Sequence, residues 1–232
     1  MKNIAFIPAR GGSVSIPRKN MASVGHLSLL DYVCNAACES KCIDEVYLST
    51  DDDFILGYVE VVYPHIIILD RPPHLTDGLS YKIQEVVLHH VNNGDMAIGR
   101  DDILTLFQPT SPFVKQTHIE ALDMIMRTKE RYASAQTICP VPHNSHAINQ
   151  RVYEKGSVAF KYKEERMEQY NKQKKENLYT FGNLVSTRMS VLYKTGEFFA
   201  EPSYGYIIGR DDAIDVDGPD DLIQANRIVN DD

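Results

Sequence analysis

The chain has 232 residues, 43% apolar and 24% charged, enough for one large domain, or one with an insertion, around a core that needs no disulfide staples. Its formal net charge of −8 argues against general binding to nucleic acid or anionic lipid, so any anionic ligand would need a local basic site. No stretch approaches the ~18 continuous apolar residues of a membrane span, and the N-terminus lacks the basic-then-apolar pattern of a signal peptide.

Residues 3–8 read as a buried strand. It runs into a loop, "IPARGGSVSIPRKN" at 7–20, that combines a Gly-Gly pair, hydroxyls and the cations Arg10, Arg18 and Lys19. Residues 27–40 place Leu29, Leu30, Val33, Cys34 and Ala37 on one helical face. A second strand at 45–49 ends at Thr50-Asp51-Asp52-Asp53, a helix N-terminus, with a short helix over 54–62. Strand 65–69, helix 79–92, strand 102–107, helix 116–130 and strand 133–139 follow. Cys34, Cys38 and Cys42 recur at helical spacing, and Cys139 is remote, with no C-x2-C pair. They read as small buried hydrophobes, and a reduced, cytoplasmic setting is expected.

Strands and helices alternating at this spacing predict an α/β fold, a doubly wound, mostly parallel sheet covered on both faces. In such sheets ligands bind beyond the carboxyl ends of the strands. That rule places segments 8–20, 50–53, 70–77 and 108–112 along one edge, and each is polar after an apolar run. The pattern breaks at 142–182, read as a single insertion within one domain spanning 1–232, an arm for packing on a second subunit. Within it, 161–177 is highly charged and has no continuous apolar face. The core pattern returns at 188–194, with a strand near 190, and at 204–208, before a strand end, turn and closing helix in "AIDVDGPDDLIQANRIV".

Four segments carry candidate chemistry. Backbone N–H groups around Gly11, Gly12 and Ser13 can converge on phosphate oxygens, with Arg10 and Lys19 neutralising charge, and Asn20 counts among the substrate-binding candidates of the same loop. The loop matches neither the P-loop nor G-x-G-x-x-G. Asp215 and Asp217 alternate at a strand terminus, so both carboxylates face one side and suit Mg²⁺. Gln108, Thr110 and Ser111 follow the fourth strand, and the same residues also fit a rigid turn with Ser111 as cap and Pro112 opening a helix. Arg71-Pro72-Pro73, with Thr76-Asp77, follows the third strand. None of the eight histidines forms an H-E-x-x-H motif or is assigned to catalysis.

The strings "IPARGGSVSIPRKN", "VYLSTDD", "DRPPHLTDGLS", "LFQPTSPF" and "AIDVDGPDDLIQA", in this order over residues 4 to 225, resemble the CMP-sugar-acid cytidylyltransferases, including the enzymes for sialic, legionaminic and pseudaminic acids. The resemblance implies a Rossmann-like nucleotidyltransferase, usually a homodimer through the inserted arm, that joins CTP to a 2-keto sugar acid and releases pyrophosphate. It implies that Arg10, Ser13 and Lys19 cradle the triphosphate, and that Arg71 and Ser80 lie at the base. Gln108 would orient the sugar, and Asp215 and Asp217 would hold Mg²⁺. Two departures stand out. The family's Gly-Ser-Lys-Gly becomes Ser13-Val14-Ser15 here, and an Asn-Gly-Ala/Ser stretch is replaced by Gly182-Asn183. Lys115, Arg18 and Arg188 are the cations that could stand in for the missing lysine. The residues leave two other readings open: a nucleotide-binding homologue without turnover, and a glycosyltransferase using the D-x-D pair.

Overall fold

A computed structural model describes residues 1–13, 15–76, 81–168 and 175–231. The first strand, β1 (Asn3–Pro8), is buried along most of its length because both of its faces are covered. Its side chains alternate between two cores. Ala5 and Ile7 face one core with Leu30, Val33, Ile55, Val59, Ile119 and Leu122, and Ile4 and Phe6 face the other with Val86, Val87, Met189 and Leu192. Full burial of each large aliphatic side chain contributes about 1.5–3 kcal/mol, so the two-sided pattern holds β1 at the centre of the fold.

A two-stranded ribbon, β2 (Ser23–Val24) and β3 (Leu27–Ser28), leads into α1 (Leu29–Cys38). Then come β4 (Glu45–Thr50), α2 (Asp53–Val62) and β5 (Ile67–Asp70). The N-cap of α2 is Asp52, whose carboxylate accepts from the N–H groups of Phe54 at 2.8 Å and Ile55 at 3.2 Å. The third strand of the sequence reading, β5, starts two residues later than the apolar run at 65–69 predicts. Helix α3 (Ile83–Asn93) also begins late, because Glu85 reaches back to the Lys82 N–H at 3.1 Å and fixes the helix start there.

Strand β6 (Ile103–Phe107), α4 (Gln116–Thr128) and β7 (Ser134–Pro140) follow the expected order. Between β7 and the next strand of the sheet the chain makes an excursion, with a hairpin of β8 (Arg151–Glu154) and β9 (Ser157–Phe160) and a short helix, α5 (Lys163–Glu168). Residues 179–182 already belong to β10 (Tyr179–Arg188), which lies antiparallel between β6 and β7. The residues near 190 are not a strand but α6 (Met189–Thr195), which packs Met189 and Leu192 under the sheet. Strand β11 (Ser203–Ile207) and α7 (Pro219–Asp231) complete the chain.

The seven-stranded sheet runs β11-β7-β10-β6-β1-β4-β5. From β1 the chain moves outward to β4 and β5, then crosses back to pair β6 with the other side of β1, all parallel. The crevice beyond the carboxyl ends of β1 and β6 is the topological switch point, where open α/β sheets bind ligands.

Candidate functional site

A cleft of about 540 Å³ opens at that switch point. The loop after β1 contributes Arg10, Gly12, Ser13, Lys19 and Asn20 to its wall. Gln108 and Thr110 come from the loop after β6, Arg71 from the end of β5, and Asp215 and Asp217 from the segment before α7. Most of the residues singled out in the sequence thus converge.

The first loop is held from outside the cleft. Gly11 N–H donates to Asp51 Oδ1 at 2.9 Å, and a Cβ on Gly11 would sit 2.6 Å from Asp52 Oδ2. Gly11 is therefore a seat for the loop rather than part of the cleft wall. Asn20 Nδ2 donates to the Arg10 carbonyl at 2.9 Å and closes the loop on itself. Arg10 Nη1 donates to the Thr76 carbonyl at 3.2 Å.

The carboxylate pair departs from expectation in its support. Residues 214–217 are not a sheet strand. They form an extended segment fixed by one backbone bond, Val216 N–H to the Thr110 carbonyl at 2.7 Å. The period of two survives: Ile214 and Val216 are buried with Val24, Leu29 and Ala225, and Asp215 and Asp217 face outward. Lys19 Nζ lies 3.2 Å from Asp217 Oδ1 and bridges the first loop to this segment. Desolvation pushes the Asp215 carboxyl above its ordinary range, and the Asp217 charge adds to the shift, while Thr110, Lys19 and Ser111 oppose it.

Two carboxylates on one side, with Asp215 made harder to ionise by desolvation and by Asp217, fit a hard divalent cation. Among the described residues no group of three or more His, Cys, Asp or Glu side chains is placed to hold a metal ion. Such a cation would complete its shell with phosphate oxygens and water, the usual habit of Mg²⁺.

Ser111 is buried behind Asp215, with its Oγ 3.5 Å from Asp215 Oδ1. It does not cap a helix, because α4 starts at Gln116. Arg71 is 3% exposed, and its guanidinium reaches Ser49 and, at 3.4 Å, the Tyr81 hydroxyl. Desolvation draws its pKa below the ordinary arginine value.

The three cations proposed as stand-ins do not reach the cleft. Arg18 stacks on Phe54 at 5.1 Å, and Lys115 pairs with Asp212 at 2.7 Å. Arg188 bonds the carbonyls of Tyr132 at 2.6 Å and Met126 at 2.5 Å, at the β10 end that pairs with the start of β6. Val14 and Ser80 lie outside the described residues, as do 169–174 of the charged 161–177 segment and Asp77.

Sequence reasoning passed over Tyr81 and Ile83 in the cleft wall and gave no role to Asn183, which is buried. Asn183 Nδ2 donates to the carbonyls of Phe113 at 3.0 Å and Asp212 at 2.8 Å, and its Oδ1 accepts from Thr137 Oγ1 at 3.1 Å. One buried amide thereby ties β10 to the loop after β6 and to the stretch leading to Asp215. Its neighbour Gly182 is tightly enclosed, with a Cβ placed 2.6 Å from Thr137 Oγ1. A glycine and a polar residue inside a β-strand signal a close approach, which is the cue the sequence offered.

A family described as cytidylyltransferase matches residues 4–197. The chain is 32% identical over 156 residues to an N-acylneuraminate cytidylyltransferase of Oncorhynchus mykiss, covering 67% of this chain and 33% of that protein. It is 28% identical over 233 residues to a CMP-N,N'-diacetyllegionaminic acid synthase of Legionella pneumophila, covering 99% of this chain and 97% of that protein. The chain spans only 33%, 49% and 52% of the length of three N-acylneuraminate cytidylyltransferases it matches. In fold it resembles CMP:2-keto-3-deoxy-manno-octonic acid synthetase, solved with CTP, at a TM-score of 0.72 and 15% identity over 100% of this chain and 99% of that one. With its cationic first loop and its carboxylate pair meeting at the switch point, the chain belongs to the cytidylyltransferase family.

Proposed function

We propose that this chain transfers the cytidylyl group of CTP to a 2-keto sugar acid of the sialic or legionaminic type, giving a CMP-sugar and pyrophosphate. One observation carries the reading. Lys19, from the first loop, meets Asp217, 198 positions later, at 3.2 Å in the cleft. A cationic loop and a carboxylate pair thus meet, which supports a triphosphate grip beside a cation-binding pair. The names of the relatives in the family support the acidic sugar as acceptor.

In this reading the anomeric oxygen of the sugar forms a bond to the α-phosphorus. The bond from that phosphorus to the bridging oxygen breaks, its electrons leave with pyrophosphate, and the hydroxyl proton is released. Such a step is mainly positioning and charge stabilisation. Arg10 and Lys19 take up triphosphate charge, and the N–H groups around Gly12 and Ser13 cradle its oxygens. Arg71, in the cleft wall with Tyr81, sets the place of the nucleotide base. Gln108 and Thr110 orient the sugar. Asp215 and Asp217 would hold Mg²⁺, which when bound supplies neutralisation of the phosphate charge.

The hairpin of the excursion leaves Val152, Tyr153 and Val158 50%, 73% and 60% exposed, which supports its use as a homodimer contact. Sedimentation equilibrium should then give twice the chain mass, and Tyr153→Lys should return it to one.

The activity is tested by pyrophosphate release with CTP, Mg²⁺ and a panel of sialic, legionaminic, pseudaminic and ketodeoxyoctonic acids, beside an acceptor-free control. Release with one acid identifies the acceptor. Rates at the control level throughout, with CTP bound, would overturn the sugar acid as acceptor.

A further inference from the structure

Between β11 and α7 the chain crosses residues 208–218 without forming a helix or a strand, so the carboxylates of Asp215 and Asp217 depend on isolated bonds for their place. Two anchors flank Asp215. One is the bond from the Val216 N–H to the Thr110 carbonyl, at 2.7 Å. The other is Asp212, three residues upstream. Its carbonyl accepts from Asn183 Nδ2 at 2.8 Å. Its carboxylate, 17% exposed, faces Lys115 Nζ at 2.7 Å and His118 Nε2 at 3.6 Å. Thr110, Lys115 and His118 all lie on one piece of chain, the run from the end of β6 into the first turn of α4.

His118 is buried at the third position of α4. Its Nδ1 is faced by two donors, the Lys115 N–H at 3.2 Å and Asn183 Nδ2 at 3.2 Å. Nδ1 is therefore the acceptor, and the ring proton sits on Nε2, toward Asp212 Oδ2. At 3.6 Å this is an electrostatic contact rather than a hydrogen bond, and it acts where burial strengthens it. Desolvation lowers the His118 pKa, with the Asp212 charge opposing it, and the neutral ring fits this tautomer. The two nitrogens thus have separate duties. Nδ1 caps the helix, which an amide oxygen would also do, and Nε2 serves Asp212.

We propose that His118 is a positioning residue for Asp215. By holding Asp212 it joins the stretch that carries the carboxylates to the loop that carries Gln108 and Thr110, so that both sides of the cleft keep one spacing. Ser111, whose Oγ lies 3.5 Å from Asp215 Oδ1, marks where that spacing is set. The effect on turnover rests on the transferase reading given above, and the effect on the stretch itself does not. A reacting group misplaced by ~1 Å costs on the order of a hundredfold in rate.

Amide hydrogen exchange at Val216, in the ligand-free full chain, tests the proposal with His118→Asn and His118→Gln. Asparagine sets an oxygen near the place of Nδ1 and keeps the cap but loses the contact with Asp212, whereas glutamine can bring an N–H back to the place of Nε2. Both lose the ring, so both should lower the Tm alike. Relative to the Leu104 amide in β6, exchange at Val216 should be about tenfold faster or more in His118→Asn, the scale of one lost polar contact, and close to wild type in His118→Gln. With CTP, Mg²⁺ and the acceptor, His118→Asn should lower kcat about tenfold to a hundredfold with the KM for CTP unchanged, and His118→Gln should recover most of it. If His118→Asn does not fold, Asp212→Ala opens the same contact and should speed exchange at Val216 in the same way. Equal exchange at Val216 in wild type and variants would overturn the proposal, as would variants in which Val216 and Leu104 change in step, the result of lost packing alone. A wild type without turnover would count against the transferase reading, and exchange at Val216 would still decide whether His118 holds the stretch.

Discussion

Ser49 holds Arg71 at two points: its Oγ accepts from Arg71 Nε at 3.3 Å, and its carbonyl accepts from Nη2 at 3.1 Å. The hydroxyl has one proton to give, and His90 Nε2 stands 3.0 Å away to take it. That arrangement leaves the other ring nitrogen of His90 to donate to Asp95 Oδ2, at 3.4 Å. Burial lowers the His90 pKa, which keeps the ring neutral and suits this polarity. Ser49→Ala should free one edge of the guanidinium. A lost hydrogen bond to a charged group is worth ~1.5–3 kcal/mol, so CTP affinity should fall about tenfold or more. Calorimetric titration of CTP reads the change, and an unaltered Kd would remove Arg71 from nucleotide binding.

Asp31, in the first turn of α1, accepts from the Ser28 N–H at 2.8 Å, the Ser28 hydroxyl at 2.6 Å, and the hydroxyls of Tyr58 at 2.8 Å and Tyr63 at 2.9 Å. Burial opposes its ionisation, but these bonds together outweigh it and lower its pKa. The unfolded chain then binds this proton more readily than the folded one. The stabilisation is full above the ordinary carboxylate pKa of about 4 and is lost as pH falls through the lower folded value. Asp31→Asn should lower stability by about 1–3 kcal/mol at neutral pH. Denaturation midpoints measured from pH 7 to 3 should show the gap between wild type and variant closing on acidification. A gap that stays constant would contradict the charge-based account.

For Asp215 the shift has the opposite sign. Its ionised form is penalised in the folded protein, by desolvation and by Asp217, so folding is weakened at pH values where it is charged. Asp215→Asn should therefore raise the Tm of the ligand-free protein slightly while abolishing most turnover. Carbon-13 titration of the wild type should find this carboxyl above its ordinary value, and Asp217→Asn should bring it down. A lower Tm in Asp215→Asn would mean that the carboxylate is structural.

Gly11→Ala would bring a methyl group to 2.6 Å from Asp52 Oδ2 and 2.8 Å from Asp52 Cβ. Asp52 is fixed as the cap of α2, so the loop must give way. A cost of about 1–3 kcal/mol is expected for such overpacking. CTP binding should weaken as well, because the Gly11–Asp51 bond that seats Arg10 is strained. Thermal melting and CTP titration check both effects. Gly12→Ala, with nothing near its added methyl, should leave stability unchanged.

The parallel half of the fold was legible because its signals are local. Strand β1 is apolar on both faces, Asp52 caps α2, and each strand end is marked by polar residues. The site was legible for the same reason: Arg10, Arg71, Gln108 and Asp215 all lie just beyond apolar runs. Strand β10 was missed because it is antiparallel, carries a register shift between Phe181 and Val185, and follows the charged stretch directly. Asp215 and Asp217 were placed on a strand because their period is two. The structure keeps the period and replaces the ladder with a single bond from Val216 to Thr110. The destinations of Arg18 and Arg188 were not legible, since Phe54 and the Tyr132 carbonyl are brought to them only by tertiary packing.

Asp217 is 78% exposed on its side chain, and its carboxylate meets Lys19 in the cleft. It can be changed with little effect on folding, so it isolates the chemistry. The most direct measurement is pyrophosphate release from CTP by wild type and Asp217→Asn, with saturating Mg²⁺ and the acidic sugar that gives turnover. The account predicts a rate at least about a hundredfold lower in the variant, the scale of removing a charge-stabilising group, with an unchanged Tm. Equal rates would mean that the carboxylate pair does not serve the reaction and that the cleft works by other groups.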